Sequence, residues 1–257
     1  MAKNVWITMV DEDNDQAGLI YSKLSEYGLN VQGSIFQDNI EKLEWALGLD
    51  KIKKSDLWII CGSKKTIFKE TVMFGLSASA IAVKAYKGDN FPVMIVSEDD
   101  IVDNDLPLPL KNAVVISATN SSFQAKAAAK ANLPFKKTTK EYRINLIPII
   151  GSGLWAEAGP CENSWDGILA GVSDSGSVDA LGIGEKSVIP EKTVLEYPVR
   201  NMKIELNSKE FTAWGSKNII NKDQSAFFRI KGHPSSLIFG SFDENNPAVY
   251  IIDLYNT

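Results

Sequence analysis

The first half of the chain alternates apolar runs with helix-like patterns, and this alternation restricts the possible folds more than any other feature. The apolar runs predict strands near residues 5–10, 29–36, 57–62, 91–97 and 113–118. Continuous apolar strands separated by helices are typical of a parallel sheet that is covered on both faces. Right-handed crossovers between five such strands favour the order 2-1-3-4-5, in which the winding reverses between the first and third strands.

Helices are predicted between these strands, over residues 15–27, 39–49, 66–86 and 120–131. With the strands, they predict an α/β fold of the flavodoxin-like class. The helix over 66–86 is rich in small apolar residues, and its apolar segment is too short to span a bilayer. We expect this helix to pack closely against the sheet or against a second copy of the chain. In the second case the protein would be a homo-oligomer.

The pattern changes after a polar, lysine-rich stretch that begins at Pro134. From Tyr142 onward the chain holds 11 of its 18 glycines and reads as short strands joined by turns. Such a pattern predicts an antiparallel sandwich or barrel, and its clearest hairpin turns at Asn207 and Ser208. We therefore predict an α/β domain over 1–135, a linker over 136–141 and an all-β domain over 142–257.

Composition excludes several classes of function. The net charge is −5, and residues 141–257 carry the whole deficit, with 10 basic and 15 acidic side chains. This balance argues against binding to nucleic acid. The single histidine, His233, rules out histidine-based metal sites within one chain, and two cysteines form no disulfide framework. We expect no metal and no membrane association, and the absence of a leader pattern after Met1 predicts a cytoplasmic protein.

The predicted ligand site lies where the first and third strands end. The first strand runs into the acidic residues Asp11, Glu12 and Asp13, and the third runs into a basic helix start formed by Gly62, Ser63, Lys64, Lys65 and Thr66. In a sheet of this order, ligands bind in the crevice between these two strand ends. Lysines and helix amides would hold a phosphate, while the acids would hold hydroxyl groups. The alternative is that the acids and lysines neutralise one another while Asp15 and Thr66 cap their helices.

The acidic loop after the first strand resembles that of response-regulator receiver domains, and the resemblance continues through the following helix to Val31. Receivers carry a phosphoacceptor aspartate at the end of the third strand. Cys61 and Gly62 stand there in this chain, and no lysine follows the fifth strand. The resemblance therefore implies a related scaffold without phosphorelay.

The stretch from Val5 to Val31, and the third strand with the helix after it, also resemble TIR and TIR-like domains. NAD-cleaving members of that family carry a catalytic glutamate in this helix, and Glu70 is its only acid. The resemblance implies that Glu70 could orient the ribose and stabilise positive charge as nicotinamide leaves. As a helix-surface acid, Glu70 would have no such role.

These observations predict a signalling or ligand-binding protein whose partner is a small phosphate-bearing ligand or another protein. No cofactor is firmly implied, although NAD or another nucleotide would suit the crevice. The alternative function is a TIR-like NAD glycohydrolase that uses Glu70.

Overall fold

The computed structural model describes residues 2–134, 140–242 and 248–256. The chain divides into two compact units, the first made of residues 1–39 with 44–138 and the second of 40–43 with 139–257. Most of the predicted linker lies outside the described residues. So do residues 243–246, whose aspartate, glutamate and asparagines predict a turn between two strands.

The first unit is built on a five-stranded parallel sheet. Its strands are β1 (Asn4–Met9), β2 (Asn30–Ile35), β3 (Leu57–Cys61), β4 (Val93–Val96) and β5 (Val114–Ile116). Their order is β2-β1-β3-β4-β5 and every pairing is parallel. The predicted flavodoxin-like fold is therefore confirmed.

In the described part of the chain, five α-helices accompany this sheet: α1 (Asn14–Glu26), α2 (Leu49–Lys54), α3 (Lys64–Ile67), α4 (Glu70–Lys87) and α5 (Phe123–Asn132). Side chains of β1 alternate between the two faces, as the pleat of a strand requires. Val5, Ile7 and Met9 join one core with Leu24 of α1 and Phe123 of α5. The opposite face carries Trp6 and Thr8, and it is the face on which the cavity described below is found.

The helix predicted over 39–49 is wrong. The chain forms turns, then a 3-10 helix over Glu44–Ala46, and only afterwards the six-residue α2. Leu43 has a φ of 57°, a left-handed value that a continuous helix cannot contain. Trp45, Leu49 and Ile52 fall at helical spacing and are buried, but the helix begins only at Leu49, where the prediction ended it.

The long helix predicted over 66–86 is divided in two. Lys69 is extended, with a ψ of 129°, and separates α3 from α4. Asp38, in the loop after β2, accepts from Lys69 Nζ at 2.6 Å and from Thr71 Oγ1 at 2.9 Å, which fixes the start of α4. Residues 72–83 of α4 are all buried. The small-residue stripe is therefore not an exposed face, and the predicted homo-oligomer could use only the ends of this helix.

The second unit consists of two antiparallel sheets, as predicted. Its strands are β6 (Tyr142–Ile149), β7 (Gly153–Pro160), β8 (Ile168–Val172), β9 (Gly176–Glu185), β10 (Val199–Leu206), β11 (Lys209–Ser216), β12 (Gln224–Gly232), β13 (Ser236–Gly240) and β14 (Val249–Asp253). The sheet orders are β10-β11-β8-β13-β14 and β6-β7-β12-β9. The predicted hairpin joins β10 to β11, with Asn207 and Ser208 both at positive φ, as a type I′ turn requires.

None of the helices that the structure describes has the length and apolar character needed to span a membrane.

Candidate functional site

The ends of β1 and β3 are neighbours, as the ligand-site prediction requires. Val10 N donates to Cys61 O at 2.9 Å, and Ser63 N donates to Asp11 Oδ2 at 2.5 Å. Ser63 Oγ lies 3.4 Å from Asp11 Oδ1. The acidic loop and the start of α3 therefore form one hydrogen-bonded cluster at the carboxyl edge of the sheet.

Asp11 is held in its charged form by this cluster. Burial acts to raise the pKa of Asp11, but hydrogen bonds from Thr66 and Ser63 together outweigh it, so the pKa lies below its ordinary value of 3.8. At neutral pH Asp11 is therefore a fixed negative charge against the first amides of α3.

A second carboxylate reaches the same helix start from the loop after β4. Lys64 N donates to Asp99 Oδ2 at 2.6 Å. The side chain of Lys64 is also engaged, since its Nζ lies 3.1 Å from Asp100 O and 3.3 Å from Asp105 Oδ2. Sequence reasoning missed these acids, although parallel strands bring the loops after β1, β3 and β4 to one edge and the loop after β4 is visibly acidic.

The helix caps differ from those expected. Asp13, and not Asp15, caps α1, because its Oδ1 accepts from Gln16 N at 2.9 Å. Ser63, and not Thr66, caps α3 by accepting from Thr66 N. Glu12 and Lys65 are exposed.

The cluster at this edge is thus internally satisfied. Carboxylate oxygens of Asp11 and Asp99 occupy the amides that an incoming phosphate would use, and Asp105 pairs with Lys64. Among the described residues, no group of three or more histidine, cysteine or acidic side chains could hold a metal ion. Phosphate binding by these residues stays a prediction, and it requires at least one of these carboxylates to move.

The residues at the end of β3 are Cys61 and Gly62, neither of which carries a carboxylate. Cys61 is fully buried, and burial raises the pKa of its thiol, so the sulfur is neutral. A side chain at Gly62 would collide with Val10 Cγ2 and would stand 3.2 Å from Asp11 Oδ2. A phosphoacceptor could not be placed at Gly62 without moving the loop after β1.

Glu70, the proposed catalytic residue of the alternative function, is the first residue of α4 and is exposed. An acid at this position interacts favourably with the helix dipole whatever the function of the protein.

The first unit has a cavity of about 440 Å³ on the other face of the sheet from α1 and α5. Four aromatic side chains line it, namely Trp6, Phe36, Trp45 and Trp58. Its polar lining includes Thr8, Ser34, Glu44 and Lys51. Lys51 and Ile52 of α2, a helix of six residues and roughly 9 Å, form part of its wall.

The three tryptophans of the cavity differ in their hydrogen bonding. Trp58 Nε1 donates to Thr8 Oγ1 at 2.9 Å. Trp6 Nε1 and Trp45 Nε1 are buried and have no acceptor, and in the described part of the chain only Arg143 Nε shares that condition. Sequence reasoning missed this cavity, because an apolar strand pattern does not show which part of a sheet its helices leave open.

Comparison with known proteins adds little to this geometry. No protein-family model matches the chain, and no curated protein matches it. Among solved structures it resembles HP1043, an orphan response regulator of H. pylori, with a TM-score of 0.33 and 15% identity over 51% of this chain and 100% of that one.

The chain also resembles the translation elongation factor SelB from Methanococcus maripaludis. The structure with a GTP analogue has a TM-score of 0.31 at 12% identity, over 92% of this chain and 56% of that one. The structure of the apo form has a TM-score of 0.34 at 10% identity, over 99% of this chain and 80% of that one. Scores and identities this low carry no functional conclusion, and the class of the first unit, flavodoxin-like α/β, rests on its own sheet order.

Proposed function

We propose that this chain is a signalling or ligand-binding protein without phosphorelay, and that its first unit binds a small molecule in the aromatic cavity beside β1. The observation that carries the proposal is the cavity itself, whose volume of about 440 Å³ falls in the range of small-molecule sites. Aromatic walls with a few polar groups are the usual composition of such sites.

A blocking variant tests this proposal. Gly48 lies in the cavity wall, and a Cβ on it would stand 3.4 Å from Trp6 Nε1, an ordinary contact distance. Its φ of −83° is allowed for any residue. Gly48→Leu therefore places a larger side chain in the cavity. Gly18→Leu is the matched control, because Gly18 is exposed on α1 and a Cβ there meets nothing within 4 Å.

The probe for this test is 1-methylindole, observed by saturation-transfer NMR with the full chain. We expect 1-methylindole to bind the natural chain and the control variant Gly18→Leu. Its affinity for Gly48→Leu should be at least about tenfold lower. Equal binding of 1-methylindole to all three proteins would contradict the proposal.

A phosphate-bearing ligand at the ends of β1 and β3 is the second candidate. It is favoured by the hydrogen bonds that Ser63 N and Lys64 N already donate to carboxylate oxygens, since such amides would donate equally to the oxygens of a phosphate. Because Asp99 competes for the Lys64 amide, Asp99→Asn should strengthen binding of ATP or NAD. Lys64→Ala combined with Lys65→Ala should weaken it by a few kcal/mol at most.

Thermal-shift titration with NAD, ATP, FMN and cyclic nucleotides measures both effects. If no nucleotide shifts the melting temperature of either the natural chain or Asp99→Asn, this second candidate is wrong. Incubation with NAD in the same experiment tests the alternative function. Release of nicotinamide that disappears in Glu70→Gln would support a glycohydrolase, and we expect no release.

A further inference from the structure

The unpaired donors of the first unit are concentrated in one place. Among the described residues three buried side-chain nitrogens lack an acceptor, and two of them, Trp6 Nε1 and Trp45 Nε1, belong to walls of the same cavity. Trp6 is 8% exposed and Trp45 is 4% exposed. Leaving a buried donor unpaired is unfavourable, so an acceptor supplied from outside the chain would be bound more tightly here than at a satisfied site.

The chain covers Trp6 thinly. The point where a Cβ on Gly48 would stand lies 3.4 Å from Trp6 Nε1 and 3.7 Å from Ser34 Oγ. Glycine has no side chain to fill that point, and the adjoining α2 has no side-chain cap to fix its first turn. An acceptor would reach the indole N–H of Trp6 if the backbone at Gly48 moved, and the Gly48 carbonyl is held there by Lys51 N at 3.0 Å and Ile52 N at 3.1 Å.

The remaining walls select the shape of the occupant. Three further aromatic side chains belong to the walls: Phe36 is half-buried, and Trp45 and Trp58 are buried. Aromatic rings pack well against planar partners. The N–H of Trp58 is already committed to Thr8, so it contributes surface and no free donor. The site thus combines aromatic walls with two indole N–H donors, those of Trp6 and Trp45, that have no acceptor.

From this combination we propose that the cavity binds a planar ring whose edge carries carbonyl acceptors, the chemistry of a cyclic amide or imide. The indole N–H groups of Trp6 and Trp45 donate to those carbonyls. The inference rests on the proposed function and specifies the class of ligand that the same cavity takes.

Three imides without N–H donors are suitable probes: caffeine, 1,3-dimethyluracil and N-methylphthalimide. The matched probe is 1-methylindole, which is planar but has no carbonyl. Each is titrated into the full ¹⁵N-labelled chain, whose six tryptophans give six indole N–H signals. Trp6→Phe and Trp45→Phe assign the two signals of interest, and Trp214→Phe, outside the cavity, is the control variant.

With at least one imide, the Trp6 and Trp45 indole protons should move downfield while those of Trp155 and Trp214 do not move. The ratio of imide affinity to 1-methylindole affinity should fall roughly threefold to tenfold in Trp6→Phe, as expected for one lost hydrogen bond. That ratio should be unchanged in Trp214→Phe. Comparing the two probes within each variant removes the effect of the smaller phenylalanine ring.

Equal binding of imides and 1-methylindole, with no downfield movement, would overturn the proposed ligand class while leaving the cavity as a binding site. Absence of binding by all four probes would overturn both this inference and the proposed function. Binding that is unaffected by Trp6→Phe would also overturn the inference.

Discussion

At the scale of single residues, Asp11 was predicted to contact a ligand. In the structure its carboxylate accepts hydrogen bonds from within the chain, at the carboxyl edge of the parallel sheet. Its two oxygens face Ser63, and its pKa lies below 3.8 because hydrogen bonds from Thr66 and Ser63 outweigh the effect of burial. A carboxylate whose pKa is lowered by folding stabilises the folded state above its unfolded pKa, and that contribution is lost as the pH falls through the folded value.

Asp11→Asn should therefore lower the free energy of unfolding at neutral pH by about 1 kcal/mol, the usual size for one hydrogen bond. The difference between the natural chain and the variant should shrink as the pH falls below 3.8. Urea denaturation at a series of pH values measures it. Glu12→Gln, which removes the same charge from an exposed neighbour, should change stability little, and a constant difference for Asp11→Asn at all pH values would contradict this account.

Contacts of this kind mark the limit of sequence reasoning about the site. Adjacent ends for β1 and β3 follow from strand order, so the pairing of Asp11 with Ser63 was within reach. The bond from Lys64 N to Asp99 joins loops 35 residues apart, and nothing in local composition selects Asp99 from the other acids near it. The unpaired indole of Trp6 could not be predicted, because a missing acceptor is a property of the packed structure.

At the scale of elements, hydrophobic patterns predicted helices and strands well where a whole element is buried. They failed where the backbone of a single residue interrupts a helix. Strands β3 and β4 are apolar and buried along their whole length. All five strands of the first sheet were predicted close to their observed positions, including the largely exposed β2. The segment between β2 and β3 was not, since the left-handed Leu43 delays the helix until Leu49. Lys69 similarly divides a continuous helical pattern into α3 and α4.

The hairpin between β10 and β11 offers a test at this scale. Ser208 has a φ of 60°, a conformation that glycine adopts without the steric cost that other residues incur. Ser208→Gly should therefore raise the free energy of unfolding by about 0.5–1 kcal/mol. The same substitution at Ser177, an exposed position inside β9, should lower it, because glycine weakens a strand interior.

Thermal and chemical denaturation of the two variants measure the difference. A loss of stability in Ser208→Gly as large as that in Ser177→Gly would contradict the assignment of a type I′ turn.

At the scale of the whole molecule, the chain forms two units of different architecture, one with a parallel sheet and helices and the other with antiparallel strands. Apart from residues 40–43, which belong to the second unit, the two follow one another along the chain. The change in pattern after Pro134 predicted this succession, because hydrophobic periodicity differs between the two classes. The function of neither unit could be predicted in the same way, since many functions share each fold.

If the proposed domains are independent, residues 1–135 and 142–257 should each fold when expressed alone. Circular dichroism should show a mixed α/β spectrum for the first fragment and a β spectrum for the second, each lost in a cooperative transition. A fragment 142–257 without a cooperative transition would contradict the proposed boundary.

The arrangement of tryptophans has one more consequence. The chain has six, and the three in the first unit, Trp6, Trp45 and Trp58, all line the aromatic cavity. Any guest that settles among them lies within quenching distance of every strong fluorophore of that unit, whereas Trp155, Trp165 and Trp214 supply a reference emission from the other. Binding in the cavity should therefore change the intrinsic tryptophan fluorescence of the protein, so compounds can be screened without a dye or label.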